Sequence, residues 1–392
     1  MPHIKVSPFD TSVIDDYVSN DSFIKFRANS LSSSDEVIGV EFNSREFLLQ
    51  LKPQDKSTLI KYDKVTRPTD VNLLKKAIEL LSEKLNLKIL NSNIAISPTK
   101  KILGAEFEKK IEDFESIAFD KAKVSVEVGF GSGRHILYQA KRNPDTLFIG
   151  LEIHTPSAQQ LLKQVAIQEL DNIWVVNYDA RLFLEMLPSN LCEQIFVHFP
   201  VPWDKKPHRR VISTPFLKES MRVLRKDGRL ELRTDSDNYF WYSLETFFKE
   251  PKTDVKIYKN RALEVTSKYE ERWLKMEKDI YDVYVTSLEN SSDKDDVKEF
   301  DFDDIKVSSV NIDRLPKKSS VYSDYFVHFE RIFRYKDGIL IKSAFGSFDR
   351  PEHKYILVDK DGARYYGTQP VKTKINHKAH KKILEFLNVN GD

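Results

Sequence analysis

Cysteine is almost absent from this chain, and long apolar runs and a strong net charge are absent altogether. Among 392 residues only Cys192 is a cysteine, which excludes an intramolecular disulfide and a cysteine-based zinc site. No apolar run approaches the roughly twenty residues that a membrane-spanning helix needs. The formal net charge of +2 excludes binding of acidic polymers through the overall field of the protein. Any nucleic-acid contact must therefore come from a local basic patch.

Further signals that would assign the chain to other classes are missing too. Residues 1–10 lack a signal-peptide pattern, and we expect a cytoplasmic protein without membrane association. The nine histidines are scattered. His377 and His380 lie close together in the sequence, but the lysines around them would repel a cation, so no metal site is predicted.

Glycine is concentrated at one place. Gly129, Gly131 and Gly133 fall within five residues, between the apolar run 124–128 and a helix-like stretch at 134–142. This density at a strand-to-helix turn is typical of a backbone that adopts positive φ or approaches a ligand closely. The glycines alone are equally compatible with a tight turn that binds nothing.

Acidic residues follow the next two predicted strands. Glu152 lies near the end of the strand 146–153, and Asp179 follows the strand 173–178. A further strand, 194–199, leads into a loop with two prolines. Because the carboxyl ends of parallel strands line one crevice, these positions predict a nucleotide-cofactor site with Glu152 accepting hydrogen bonds from the ribose.

Two cofactors fit this pattern. A nicotinamide dinucleotide is bound by G-x-G-x-x-G, and here the third glycine comes one place early, with Arg134 at the position it would occupy. S-adenosylmethionine carries a positive sulfonium, which Glu127 would attract, whereas the same acid would repel a pyrophosphate. Glu127 could also be a purely structural carboxylate, so an S-adenosylmethionine enzyme and a nicotinamide dehydrogenase both remain open on these residues.

Six motifs then follow one another along the chain: Glu127–Gly133, Gly150–Pro156, Asp179–Ala180, Pro200–Lys205, Arg233–Asp235 and Ser267–Glu270. Together they resemble bacterial tRNA (guanine-N7-)-methyltransferases over roughly residues 100 to 290. The resemblance implies an α/β fold with a doubly wound, mostly parallel seven-stranded sheet, the core of class I S-adenosylmethionine-dependent methyltransferases. It also implies methyl transfer to N7 of a guanine in tRNA, at position 46 of the variable loop.

The resemblance extends to individual residues. It implies that S-adenosylmethionine is bound by Glu127, Gly129, Gly131, Gly133, Glu152 and Asp179. It implies that tRNA is contacted by Lys205, Asp235, Ser267, Lys268, Tyr269 and Glu270. The family has an acid between the two prolines where this chain has Val201, so no catalytic acid is assigned and Asp204 and Asp235 are the candidates. Asp235 could instead cap a helix predicted at 239–248.

The chemistry of guanine makes Val201 tolerable. N7 has a lone pair and no proton, so its methylation needs positioning rather than a general base. Trp203 could stack on an extruded base or simply pack the loop, and both interpretations remain open. We predict RNA contacts for the basic residues after the loop, on a helix at 214–225 and directly after that helix, namely Lys205, Lys206, His208, Arg209, Arg210, Lys218, Arg222, Arg225 and Lys226. A protein that binds tRNA without transferring methyl is the remaining alternative.

The length exceeds one ordinary domain, and two accessory domains are expected beside the core. We predict an N-terminal accessory domain at 1–110, a methyltransferase domain at 111–288, a linker at 289–304 and a β-rich accessory domain at 305–392. The first would contain a strand at 36–51 and a helix at 70–85, and the last would end in a basic helix at 372–386. No repeat of fixed period is present, and both a monomer and a homodimer fit the sequence.

Overall fold

The computed structural model describes residues 2–18, 21–68, 70–95, 103–262, 264, 278–294, 296–348 and 350–388. The chain forms two compact units. The central unit is Lys100–Asp296, and the flanking unit combines Met1–Thr99 with Val297–Asp392. Within the described residues, no helix has the length and apolar character needed to cross a bilayer.

The central unit contains one sheet of seven strands. These are β1 Lys123–Val128, β2 Thr146–Leu151, β3 Ile173–Val176, β4 Cys192–His198, β5 Leu224–Thr234, β6 Thr253–Lys259 and β7 Tyr281–Ser287. Their order in the sheet is β6-β7-β5-β4-β1-β2-β3. Strands β1 to β5 pair in parallel, whereas β7 is antiparallel to both β5 and β6. The predicted doubly wound, mostly parallel fold is confirmed.

Helices connect the parallel strands. They are α1 Arg134–Arg142, α2 Thr155–Ile167, α3 Ala180–Met186, α4 Thr214–Val223 and α5 Asp237–Phe247. Apolar residues of α1 and α2, among them Ile136, Leu161 and Val165, pack with Phe148 and Val175 of the sheet. This packing brings the turn between β1 and α1 to the edge of the sheet where β1 to β4 end.

Two helix boundaries differ from the prediction. Helix α4 ends at Val223 because Leu224 already begins β5, so Arg225 belongs to a strand. Helix α5 begins at Asp237 because the Ser236 side chain caps it, accepting a hydrogen bond from the Tyr239 N–H. The predicted alternative role of Asp235 as the cap is therefore wrong.

The flanking unit is built on an eleven-stranded sheet, to which both chain segments contribute. The first segment supplies His3–Val6, Ile24–Ser30, Glu36–Phe42, Arg45–Gln54, Ser57–Tyr62 and Ile89–Ser92. The second supplies Ser320–Val321, Phe326–Tyr335, Gly338–Gly346, Pro351–Asp359 and Ala363–Tyr366. The segments join through antiparallel pairing of Ser30 with Phe333 and of Asn29 with Arg334.

This arrangement differs from the two separate accessory domains expected from the sequence. One buried cluster contains Phe26 and Leu48 of the first segment together with Phe333, Tyr355 and Tyr366 of the second. The Tyr355 hydroxyl donates to the buried Asp63 carboxylate at 3.0 Å, which adds a polar link across the same core. The two segments therefore share a core that neither supplies alone.

The stretch 289–304, which was predicted to be a linker, is divided between the central and the flanking unit. Asn190 exchanges two 2.8 Å hydrogen bonds with Ser291, so the beginning of this stretch belongs to the central unit. Phe300 and Phe302 are each 5% exposed within the apolar core of the flanking unit. Burial of two aromatic rings is the physical reason why the later part of this stretch is not a free linker.

The two halves of the flanking unit repeat one architecture. Each contains a four-stranded antiparallel meander followed by a 14-residue helix, Val71–Lys84 in the first half and Lys374–Leu387 in the second. The single strand predicted at 36–51 is in fact a hairpin. Asn43 and Ser44 at its turn have φ of 51° and 57°, as a two-residue type I′ turn requires.

Candidate active site

The glycine turn leads from β1 to α1 at the carboxyl edge of the sheet. All three glycines have positive φ, 69° at Gly129, 53° at Gly131 and 73° at Gly133. A β-carbon at Gly133 would come within 2.8 Å of Leu161 in α2, so this glycine permits helix packing. A β-carbon at Gly129 would meet nothing within 4 Å, and one at Gly131 only a backbone oxygen at 3.9 Å. The first two glycines thus border open space, in which a ligand can approach the backbone.

Glu152 lies directly after β2 and contacts this turn. Its Oε2 accepts a hydrogen bond from the Gly131 N–H at 3.0 Å, and its Oε1 accepts one from the His154 N–H at 2.9 Å. The Asn177 side chain also donates to the Glu152 carbonyl at 2.5 Å, which links the ends of β2 and β3. A carboxylate offers about four lone-pair positions, so both oxygens can still accept bonds from a ligand. Glu152, the ribose acceptor predicted from the sequence, therefore lies beside the glycine turn.

Asp179 occupies the end of β3 and caps α3. Its carboxylate accepts a hydrogen bond from the Arg181 N–H at 2.9 Å and a weaker one from the Arg181 Nε at 3.3 Å. An N-cap carboxylate also benefits from the positive end of the helix dipole. The geometry holds Asp179 in one orientation at the same sheet edge as Glu152.

Glu127 differs from the other two acids because it is buried. It lies in β1 with 3% of its surface exposed, and its Oε2 lies 2.8 Å from Nδ1 of His135 in α1. Burial alone would lower the pKa of His135, but the charge and hydrogen bond of Glu127 outweigh burial and raise this pKa. Nε2 of the same ring lies 3.1 Å from the Gln139 side chain. Sequence reasoning missed His135 as the partner of Glu127.

Two further buried pairs of ionisable side chains lie on β4, β5 and β7. His198 contacts Glu231 at 3.2 Å, and Arg233 contacts Asp282 at 2.5 Å. Burial alone would raise the pKa of Glu231, but the hydrogen bond and charge of His198 together with the charges of Arg229 and His135 outweigh burial and lower it. Burial raises the pKa of Asp282 despite the opposing charge of Arg233. In β5, Glu231 and Arg233 alternate with the buried Leu230 and Leu232. This alternation was the sequence signal that could have predicted charged side chains on one face of the strand.

The loop after β4 contains two residues in the left-handed region. Phe199 has φ of 50° and Trp203 has φ of 46°, which is uncommon for aromatic residues. Val201 is 60% exposed and Trp203 is 37% exposed. The Arg209 guanidinium lies 5.2 Å from the centre of the Trp203 ring. The loop therefore presents an apolar and an aromatic side chain outward from the sheet edge.

Arg210 is buried beneath this loop and stabilises it. This differs from its predicted role as an RNA contact. It is 7% exposed, and its Nε donates to the Pro202 carbonyl at 2.7 Å. Its Nη2 lies 3.3 Å from Asp204 Oδ1, and its guanidinium lies 4.4 Å from the centre of the Tyr242 ring in α5. A buried guanidinium with these partners is not available to a phosphate.

The remaining predicted residues separate into three groups. Lys205, Lys206, His208 and Arg209 are exposed on the loop. Asp235 accepts a hydrogen bond from Lys278 at 2.9 Å, and it lies directly after β5. The predicted substrate residues Ser267, Lys268, Tyr269 and Glu270 lie outside the described residues.

The basic face predicted on the helix after the loop is only partly present: Lys218 is exposed on α4, whereas Arg222 contacts the protein itself. Arg222 donates to the carbonyls of Leu184 at 2.8 Å and Leu187 at 2.9 Å, and it pairs with Glu219 at 2.7 Å. Arg225 pairs with Glu193. The Arg222 guanidinium thus satisfies carbonyls of the protein itself, whereas the Arg225 side chain is 50% exposed.

Known proteins resemble the chain over nearly its full length. A methyltransferase family model matches residues 121–283. The tRNA (guanine-N(7)-)-methyltransferase of Wolinella succinogenes is 39% identical over 99% of this chain and 100% of the relative. The protein of the same name from Helicobacter pylori is 38% identical over 100% of this chain and 100% of the relative. The one from Campylobacter jejuni is 38% identical over 92% of this chain and 93% of the relative. These matches extend through both the central and the flanking unit, and the chain belongs to the tRNA (guanine-N(7)-)-methyltransferase family.

Proposed function

We propose that this protein transfers a methyl group from S-adenosylmethionine to N7 of a guanine in tRNA, at position 46 of the variable loop. The observation that carries the proposal is the contact of Glu152 with the open glycine turn, in a chain that belongs to this family. Family membership favours S-adenosylmethionine over the nicotinamide dinucleotide that the glycines alone left open.

The residues at the sheet edge fit this cofactor. Open space beside Gly129 and Gly131 lets a ligand contact the backbone. Glu152 would accept hydrogen bonds from the ribose hydroxyls, and Asp179 would accept one from the adenine amine. Glu127 adds negative charge beside the turn, which suits a cation and opposes a pyrophosphate. When bound, S-adenosylmethionine supplies an electrophilic methyl group on a positively charged sulfur.

The loop after β4 would position the guanine. N7 needs no proton removed, so Val201 at the position of the usual acid does not deprive the reaction of a required base. Orientation of reacting groups supplies up to about 7 to 11 kcal/mol of barrier reduction, which makes placement the principal task of the protein. Trp203 would stack on the base, a contact worth about 1 to 3 kcal/mol.

We assign tRNA contacts to Lys205 and Asp235, with Ser267, Lys268, Tyr269 and Glu270 added on resemblance alone. Lys205 is exposed beside the loop and suits a phosphate. Asp235 is oriented by Lys278, so it can accept hydrogen bonds from a base or a ribose. Asp204 forms an ion pair with Arg210, and we assign it no role in proton transfer.

The proposal is tested with methyl-labelled S-adenosylmethionine and tRNA transcripts. We expect label in a transcript with guanosine 46 and none in one with 7-deazaguanosine there, because the deaza base lacks the N7 lone pair. Strand cleavage by borohydride and aniline then maps the methylated base. The variant E152A should lose cofactor binding, whereas E245A, at an exposed site on α5, serves as its control.

Different outcomes select different functions. Equal label in the deaza transcript would refute N7 as the acceptor. Retention of tRNA with cofactor bound and no label would support a binding protein instead. Absence of S-adenosylmethionine binding would overturn the whole proposal.

A further inference from the structure

The buried pair of Glu127 and His135 is the feature of the site that the reaction itself does not explain. The carboxylate needs no histidine in order to attract a sulfonium, yet Oε2 of Glu127 lies 2.8 Å from Nδ1 of His135. The Glu127 and His135 side chains are 3% and 12% exposed. A charge pair this far from water is weakly screened, so its net charge is felt by a neighbouring ligand.

The chain places this pair next to the glycine turn from both sides. Glu127 comes two residues before Gly129, and His135 comes two residues after Gly133, in the first turn of α1. The pair therefore borders the same turn on which the cofactor proposal rests.

We infer that His135 is a positioning and charge-setting residue for the cofactor site, which makes the preference for the sulfonium donor over its neutral thioether product depend on pH. With the imidazole protonated, the Glu127–His135 pair has a net charge of zero. With the imidazole neutral, the pair has a net charge of −1 and attracts the sulfonium more strongly. This inference rests on the proposed function, since it assumes that S-adenosylmethionine binds at this turn.

Other charged groups also face the imidazole. From β4, the ring of His198 lies 4.5 Å away between centroids. From β5, Glu231 favours the protonated imidazole and Arg233 disfavours it. Within α1, the imidazole of His135 contacts the neutral side-chain amide of Gln139. Because Glu127 is the nearest charge and outweighs burial, the pKa of His135 is raised, and the change of charge occurs above the ordinary histidine value of about 6.5.

Calorimetry with S-adenosylmethionine and S-adenosylhomocysteine between pH 6 and 9 tests the inference. We expect the ratio of their affinities to shift toward the sulfonium ligand by about tenfold as pH rises, and H135Q to abolish most of this shift. Titration of the ligands themselves is the same for both proteins, so the difference between parent and variant isolates the imidazole. The matched control is H353Q, which alters a histidine–glutamate pair in the flanking unit at 3.1 Å and should keep the parental shift.

A second measurement needs no variant. By linkage, a ligand that prefers the neutral imidazole must lower its pKa on binding. We expect NMR titration of His135 in the parent protein to show a larger decrease in pKa with S-adenosylmethionine than with S-adenosylhomocysteine. Equal decreases, or an affinity ratio in H135Q that follows the parent at every pH, would overturn the inference alone. Absence of S-adenosylmethionine binding at any pH would instead overturn the proposed function.

Discussion

Arg210 controls the shape of the loop after β4, and replacing it by methionine measures that control. The variant R210M keeps the apolar volume of the side chain but loses its charge and donors. The hydrogen bond from Nε to the Pro202 carbonyl involves a buried charged donor and contributes about 1.5 to 3 kcal/mol. The contact with the Tyr242 ring at 4.4 Å adds about 0.5 to 2 kcal/mol. The Asp204 carboxylate is 53% exposed, so its ion pair adds little.

The two contributions together predict that R210M destabilises the loop by about 2 to 5 kcal/mol. Phe199 and Trp203 have positive φ, and the energy of that conformation must be offset by contacts such as these. Without Arg210 we expect the loop to relax and the base to lose its orientation. A displacement of about 1 Å costs roughly a hundredfold in rate, so methyl transfer in a single turnover should fall at least tenfold. The affinity for S-adenosylmethionine should stay unchanged, because the loop lies on a different strand end from the glycine turn.

The neighbouring arginine provides the matched control. R209M removes an exposed guanidinium that lies 5.2 Å from the centre of the Trp203 ring. We expect R209M to weaken tRNA binding and its salt dependence slightly, with little effect on the rate at saturating tRNA. A single-turnover rate in R210M equal to that of the parent would show that Arg210 does not determine loop geometry.

Three other substitutions or truncations test separate parts of the structure. G133A should lower the free energy of unfolding by about 1 to 3 kcal/mol, because φ is 73° and the new β-carbon meets Leu161 at 2.8 Å. The control G362A places its β-carbon in open space and should not lower this free energy, and urea titration compares the two variants. Glu330 has its pKa lowered to about 2, chiefly by the His353 hydrogen bond. Its contribution is complete above the ordinary value of 4.5 and disappears as pH falls toward 2, so E330Q should flatten the acid loss of stability. Truncation after residue 296 should leave residues 2–95 sensitive to limited proteolysis, and survival of that segment would contradict a shared core.

The glycine turn and its acids were predictable because their signals are local. The positive φ of Gly129, Gly131 and Gly133 could be predicted from the sequence, because few residues other than glycine adopt this conformation. Glu152 and Asp179 each follow a short apolar strand, and parallel pairing then brings strand ends together whatever the side-chain details. These features depend on a few neighbouring residues and on one rule of topology.

The roles of the arginines were not predictable in the same way. Arg209 and Arg210 are neighbours in one basic run, yet the first is exposed and the second is buried. Burial of Arg210 depends on Tyr242, about thirty residues further on, and on the curvature of a loop with two positive φ values. A charged residue is by default assigned to the surface, and only the packed structure shows that it satisfies a buried carbonyl.

The shared core of the flanking unit shows a different kind of non-local dependence. Ser30 pairs with Phe333 across about 300 residues, and no local pattern distinguishes this strand pair from any other. The entropic cost of closing a loop grows only with the logarithm of its length, at about 0.6 kcal/mol per doubling. An insertion of this length is therefore tolerated thermodynamically. A folded central unit shortens the flexible part of the connection still further. The two segments should therefore pair most readily once the central unit has folded.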